Sequence, residues 1–244
     1  MSQRMEKVIG RIPVLECLRA GKREIHRLYL ARDAKGLDPI RQAGRGVPIL
    51  EHSQEELDRM AGNTVHQGVI LEASPLPLWN LAEWLNQPLP QDAVLVILDG
   101  IEDPHNFGAI TRTAAACGAC GVLFGKDRAA PVSPAAAKAA AGAMEYIDLI
   151  QVTNLARAIK DLQKAGFWVA GLEAEATQSV WEADLKGRIA LVLGNEGHGL
   201  RRLTRELCDL RLCIPLPGPI TTLNVSVSAA IALSECVRQR NRPK

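Results

Sequence analysis

Three segments near the C-terminal end of this 244-residue chain place small and polar residues directly after apolar runs. They are Leu191-Val192-Leu193-Gly194-Asn195-Glu196-Gly197-His198-Gly199-Leu200, Ile214-Pro215-Leu216-Pro217-Gly218, and Thr221-Thr222-Leu223-Asn224-Val225-Ser226-Val227. Glycine-rich backbone exposed at a strand end approaches a ligand closely. Such loops, close together in the chain, imply a pocket built mainly from main chain. A further polar stretch, Asp99 to Gly108, follows the apolar run Val94 to Leu98. Asn106 and Arg112 then lie six apart at the start of one expected helix, on different sides but within its first turns. Arg112 is the only Asp, Glu, Lys or Arg between Pro104 and Gly125. It reads either as a snorkelling, solvated side chain among alanines or as a catalytic cation.

Several familiar chemistries lack their residues. A dinucleotide site needs G-x-G-x-x-G after a strand, whereas Gly194-x-x-Gly197-x-Gly199 has the order reversed. Neither G-x-x-x-x-G-K-[ST] nor G-x-S-x-G occurs. The five histidines have no metal spacing, so no metal is expected. Cys117 and Cys120 form a C-x-x-C without a second pair or nearby histidines. They read as packing residues at the end of an Ala-rich helix and the start of a strand.

The elements that must position these loops follow from periodicity. From Ala93 onward, short apolar runs alternate with helical patterns. Strands are expected at Val94–Leu98, Gly121–Phe124, Tyr146–Val152, Trp168–Leu172, Ile189–Leu193 and Leu210–Ile214. Helices are expected at Asn106–Cys117, Pro134–Ala143, Leu155–Ala165, Leu200–Leu207 and Leu223–Gln239. This alternation predicts an α/β fold with a mostly parallel sheet and helices on both faces. Ligands of such sheets bind beyond the carboxyl ends of the strands. Every polar loop named above then falls on one rim.

The first seventy or so residues predict a separate small α/β unit. Its helices are expected at Gly10–Ala20, Leu37–Ala43 and from Ser53 through Met60, the last with Glu56 in a capping box. Its strands are expected at Ile25–Leu30, Val47–Leu50 and Gly68–Leu71. Residues 74–92 hold Pro75, Pro77, Pro88 and Pro90 and suit a linker, with Trp79, Leu81 and Trp84 forming a short docking helix. The expected division is therefore 1–73, 74–92 and 93–244.

Bulk composition constrains less. The formal net charge is +2. From Arg4 to Arg45, however, there are eleven Lys/Arg against five Asp/Glu, and the tail adds Arg238, Arg240, Arg242 and Lys244. Such stretches attract phosphate backbones or form a solvated face. No apolar run reaches the roughly 18–20 residues of a membrane span, and no signal-peptide core precedes the domain. A cytoplasmic protein with reduced cysteines is expected.

Taken together, Asp103-Pro104-x-Asn106-x-Gly108-Ala109-x-x-Arg112-Thr113-Ala114, Leu193-Gly194-Asn195-Glu196-Gly197-x-Gly199, and Ile214-Pro215-Leu216 through Leu223-Asn224-Val225-Ser226 resemble the three ordered motifs of the SpoU (TrmH) family. These are RNA ribose 2′-O-methyltransferases of the SPOUT superfamily, and the likeness spans about residues 93–240. The N-terminal unit, including His66-Gln67-Gly68-Val69, resembles the ribosomal-protein-like RNA-binding domain of the subfamily that methylates a guanosine of large-subunit rRNA. The resemblance implies a deep trefoil knot in the C-terminal part of the sheet, S-adenosylmethionine as cofactor, rRNA as substrate and a homodimer. Gly194, Ile214 and Leu223 match positions that grip the cofactor, with Leu172, Asn195, Gly197 and Leu216 beside them. Asn106, Arg112, Glu196 and Asn224 match polar active-site residues. Thr222 stands where the family usually has Ser, keeping the hydroxyl but stiffening χ1. Glu196 is expected to orient Asn106 or its helix, and Asn224 and Thr222 to order the same loops. A tRNA methyltransferase of the same family and a non-catalytic RNA-binding protein of this fold remain alternatives. A nicotinamide oxidoreductase is disfavoured by the missing glycine fingerprint.

Overall fold

The computed structural model describes residues 5–62, 65–126 and 132–241. Arg4, Arg242 and Lys244, counted in the basic stretches, lie outside these residues. The chain forms two compact units: residues through Pro77 together with Ala141–Tyr146, and the remainder from Leu78.

The first unit runs β1 (Glu6–Ile9), α1 (Arg11–Ala20), β2 (Ile25–Ala31), α2 (Asp38–Ala43), β3 (Ile49–His52), α3 (Gln54–Ala61) and β4 (Val69–Ala73). Its sheet has the order β1-β4-β2-β3, with β2 and β3 parallel and the other pairs antiparallel. β2 and β4 supply the core: Leu28, Leu30, Val69 and Leu71 pack with Val14 and Cys17 of α1. The capping box is present. Glu56 N–H donates to Ser53 Oγ (3.2 Å), and Ser53 N–H donates to Glu56 Oε2 (2.8 Å). β1 carries only weak alternation and was not expected from the sequence.

The second unit runs β5 (Leu78–Trp79), α4 (Leu81–Leu85), β6 (Val94–Asp99), α5 (Pro104–Ala116), β7 (Gly121–Gly125), α6 (Pro134–Ala140), β8 (Asp148–Val152), α7 (Leu155–Lys164), β9 (Trp168–Leu172), β10 (Gln178–Ser179), β11 (Ile189–Gly194), α8 (Arg202–Leu207), β12 (Leu210–Cys213) and α9 (Val225–Arg240). Its sheet is β10-β12-β9-β11-β6-β7-β8-β5, and every neighbouring pair is parallel. β6 is buried along its whole length, as a strand covered on both faces must be. One face packs Leu95, Ile97, Ala190 and Val192 with Trp84 of α4 and Ile159 and Leu162 of α7. On α5, Phe107 meets Phe124 of β7 edge-on, with ring centroids 5.1 Å apart.

Two expectations need correction. The stretch 74–92 holds more than the expected linker and short helix: the helix forms as α4, and an unexpected strand, β5, precedes it. β5 pairs with β8, and the fully buried Trp84 donates its indole N–H to Asp148 Oδ2 at 3.1 Å. Prolines before a short edge strand are tolerated because that side of the ladder needs no donor. The helix expected to reach Ala143 ends at Ala140. Ala141 and Gly142 both take positive φ (49° and 86°), and a single 3-10 turn, Ala143–Glu145, follows. Left-handed backbone of this kind terminates a helix.

Helix α5 packs against α6 and α9. Its approach to α6 is so close that a Cβ on Gly108 would lie 2.4 Å from Ala136 O and 2.6 Å from Ala139 Cβ. Gly108→Ala gains a little helix propensity but forces the two backbones apart. It should destabilise the protein by about 1–3 kcal/mol, read as a lower denaturant midpoint at unchanged m-value. A midpoint at or above that of the parent chain would refute this account of the contact.

Candidate active site

Chain order fixes where the polar loops meet. β6 leads to β7 and β8 on one side, and the chain then crosses to β9, leaving the place beside β6 for β11. The reversal of direction at β6 and β11 is the switch point at which open parallel sheets form a crevice. In register, Asp99 ends β6 opposite Gly194 at the end of β11.

After Gly194 the backbone doubles back at once. Asn195 N–H donates to Gly199 O (3.0 Å) and Gly199 N–H returns to Asn195 O (2.8 Å). A Cβ on Gly194 would stand 2.2 Å from the Gly199 carbonyl carbon, so no side chain fits there. Asn195 fastens the turn with its amide: Oδ1 accepts from Gly197 N–H (2.9 Å), and Nδ2 donates to Gly100 O (2.9 Å). The fully buried Asp99 carboxylate holds the exit of the turn. Its Oδ2 accepts from the Arg201 backbone N–H at 2.8 Å, and Arg201 Nε stands 3.5 Å from Oδ1.

These strand ends enclose a cavity of about 370 Å³. Leu172 of β9, Gly194, Asn195, Glu196 and Gly197 after β11, Ile214 and Leu216 after β12, and Thr222 and Leu223 before α9 all line it. The sequence-predicted binding residues therefore converge on one space. The lining also includes residues that sequence reasoning missed, among them Glu173, Glu175, His198 and Arg205. Arg205 Nε donates to Glu173 Oε1. Glu173 stood at a recognised strand end, but nothing in the sequence pairs it with a residue of α8.

Three of the expected polar residues form a chain of hydrogen bonds. Asn106 Nδ2 donates to Glu196 Oε1 (2.5 Å), and Asn106 Oδ1 accepts from Asn224 Nδ2 (3.1 Å). Local capping explains their placement. Asp103 caps α5, accepting from His105 N–H at 2.9 Å, with Pro104 in the first turn; this sets Asn106 on the opening turn. Asn224 caps α9, and its Oδ1 accepts from both Ser226 N–H (2.8 Å) and Ser226 Oγ–H (2.6 Å). Arg112 is exposed on α5, lies outside the cavity lining, and makes no hydrogen bond or ion pair among the described residues. Thr222 is exposed beside the cavity, and among the described residues its hydroxyl makes no hydrogen bond to the Asn106 chain.

The C-x-x-C behaves as packing. Burial pushes the Cys120 thiol up to about 12 and raises that of Cys117. Cys120 Sγ donates to Val94 O at 2.9 Å. A thiol held this far from ionising is a poor nucleophile or metal ligand.

The model of the SpoU rRNA Methylase family matches residues 93–234, which include the whole cavity lining. The chain belongs to the SpoU rRNA methylase family. Residues 7–79 match a second family model, described as RNA 2′-O ribose methyltransferase substrate binding. Among relatives of this SpoU chain, the 23S rRNA (guanosine-2′-O-)-methyltransferase RlmB of Ralstonia nicotianae is 44% identical over 239 residues, covering 96% of each chain. The protein of the same description from Pseudomonas aeruginosa is 42% identical over 248 residues, covering 98% of each. A crystal structure described as an RNA 2′-O ribose methyltransferase superposes with TM-score 0.80 at 26% identity, covering 98% of this chain and 90% of that one. The SpoU methyltransferase AviRb from Streptomyces viridochromogenes, solved with AdoMet, shares the fold with TM-score 0.82 at 24% identity, covering 98% and 92%.

The SpoU turn at 195–199 depends on Asp99. Asp99→Ala removes the acceptor of the Arg201 N–H and should cost about 1–3 kcal/mol. It should also speed amide hydrogen exchange at Arg201 and Gly199 well beyond any change in the N-terminal unit. Uniform acceleration across the protein, or none, would show that Asp99 does not anchor this turn.

Proposed function

We propose that this SpoU-family chain transfers the methyl group of S-adenosylmethionine to the ribose 2′-hydroxyl of a guanosine in 23S-type rRNA. The observation that carries this is the hydrogen-bonded chain Glu196–Asn106–Asn224 beside a cavity walled by strand-end backbone. The RlmB relatives, alike over nearly the full length, supply the substrate.

The cavity fits the cofactor by its chemistry. Its volume falls in the range of small-molecule sites. Leu172, Ile214, Leu216 and Leu223 offer apolar surface, while strand-end main chain outside the self-bonded 195–199 turn offers donors and acceptors to an adenine edge. Glu175 and Glu196 offer carboxylates to a cationic ligand. S-adenosylmethionine, when bound, supplies an electrophilic methyl on a sulfonium. A low-dielectric pocket favours this reaction, because joining cation and nucleophile cancels charge.

The chain's own residues then divide the work. A guanidinium donates hydrogen bonds and has no acceptor, so the part of Arg112 is electrostatic: it contacts the phosphate next to the target ribose and stabilises the developing 2′-oxyanion. Asn106, held at both ends of its amide, presents a fixed polar edge to the ribose, and Glu196 and Asn224 position it. Thr222 shapes the loop that carries Leu223. Residues 1–73 serve as the RNA substrate-binding domain, which the family match at 7–79 supports; residues 93–244 carry the methyltransferase. Further parts of the proposal are a deep trefoil knot around the 195–199 and 214–224 segments, a cytoplasmic site of action and a homodimer. Exposed Ile220 and Val227 beside the start of α9 support the homodimer. No helix among the described residues is long and apolar enough to cross a membrane.

Labelled methyl transfer to rRNA and tRNA from cells lacking this protein tests the activity. Label should appear in 2′-O-methylguanosine of 23S rRNA; label confined to tRNA would overturn the substrate. Arg112→Ala should lower turnover roughly 100-fold or more while S-adenosylmethionine affinity stays within about twofold, as expected for a group acting only in the transition state. Near-normal turnover would remove Arg112 from the reaction. Light scattering at assay concentration should give a dimer mass, and a monomer mass would refute the homodimer.

A further inference from the structure

Glu173 stands out among the cavity residues that the mechanism does not use. It follows β9 directly, two strands along the sheet from β6, whose loop leads into Asn106. Its backbone is pinned, because Glu173 N–H donates to Leu212 O at 2.9 Å. Its side chain is only 10% exposed, yet it faces the cavity. Oε1 is taken by Arg205, whose own side chain is 42% exposed. Oε2 has no hydrogen-bond donor among the described residues. That oxygen is not among the sealed-off polar atoms of the described residues, so it is open to accept, and a ligand bearing hydroxyl donors would complete its bonding.

We propose that Glu173 is a ligand-specificity residue that accepts hydrogen bonds from the ribose hydroxyls of the bound nucleoside cofactor, with Arg205 fixing the carboxylate and neutralising its charge. This rests on the cofactor assignment made above. Three observations favour the ribose over the other parts of such a ligand. An ionised carboxylate only accepts, which matches a vicinal diol but not an adenine edge that both donates and accepts. Leu172, Gly194 and Ile214 line the same cavity at strand ends, and main chain carries both kinds of group that a base edge needs. Glu173 follows β9, with β11 between it and β6, whose loop leads into Asn106 at the centre of the polar chain. Acidic residues at strand ends bind ribose hydroxyls in other open parallel sheets by the same chemistry.

The test compares two ligands on two full-length proteins by calorimetry: S-adenosylhomocysteine and its 2′,3′-dideoxy-ribose analogue, with the parent chain and Glu173→Ala. Unpairing Arg205 affects both ligands alike and cancels in the comparison. Glu173→Ala should weaken S-adenosylhomocysteine about 10-fold or more and the dideoxy analogue less than twofold. In steady state it should raise KM for S-adenosylmethionine with little change in kcat, the signature of lost uniform binding. Glu173→Gln, which keeps the shape and one acceptor, should show the same selectivity to a smaller degree, and it serves if the alanine variant does not fold. Equal weakening of both ligands in either variant, or none, overturns the proposal and leaves the cofactor assignment standing. Failure of the parent chain to bind S-adenosylhomocysteine overturns both.

Discussion

The site hangs on one amide. Asn106 uses its donor on Glu196 and its acceptor on Asn224, so a single side chain ties the start of α5, the loop after β11 and the cap of α9. An amide is suited to this because one planar group carries both functions in fixed relation. A carboxylate in its place would repel Glu196, and an ammonium would lose the bond from Asn224. The network is stiff only if α5 itself cannot shift, and its packing onto α6 through Gly108 supplies that condition. Substitutions that loosen α5 far from the cavity therefore reach the polar groups that its first turn carries.

A second constraint acts through α8. This helix has six residues and no side-chain cap, too short to persist on its own propensity. Two arginines clamp it. Arg201, at its N-cap, holds the buried Asp99 of β6, and Arg205, in its last turn, holds Glu173 after β9. One short helix thus bridges two strands that flank β11, and the crowded turn beyond Gly194 is pressed between them. Asp99 and Glu173 are nearly or fully buried while both arginines remain about half exposed. The charges are therefore desolvated on the side of the sheet and hydrated on the side of the helix, a cheaper arrangement than a fully buried pair.

Most of the sheet was legible because strands covered on both faces are written as unbroken apolar runs. Val94 to Leu98 and Ile189 to Leu193 needed no other signal. The same logic fails for β5 and β10, each two residues long, where no period can be read. Leu78 and Trp79 were obscured by flanking prolines that an edge strand accepts. The end of α6 was missed because its alanines continue the helical pattern through a left-handed Ala141, which the tertiary structure imposes. Within the site, strand ends named the loops and the family resemblance named the residues. Neither gave the pairing of Glu173 with Arg205, since contacts across 32 residues leave no local trace.

The distribution of exposure separates the two halves of the site. The strand ends are built from main chain and half-buried apolar side chains such as Leu172, Ile214 and Leu216, whereas Glu196, Thr222, Asn224 and Arg112 are all exposed. A pocket specified by main chain is insensitive to most side-chain changes but intolerant of any Cβ at Gly194. An array of exposed polar groups, in contrast, has water as its competitor until something covers it. On the proposed reaction that cover is the RNA itself. Its arrival would strip water from Arg112 and Asn106 and strengthen their fields at the step that needs them. Activity on a free nucleoside should then be poor even where the cofactor pocket is intact, because the small substrate brings the hydroxyl without the desolvation.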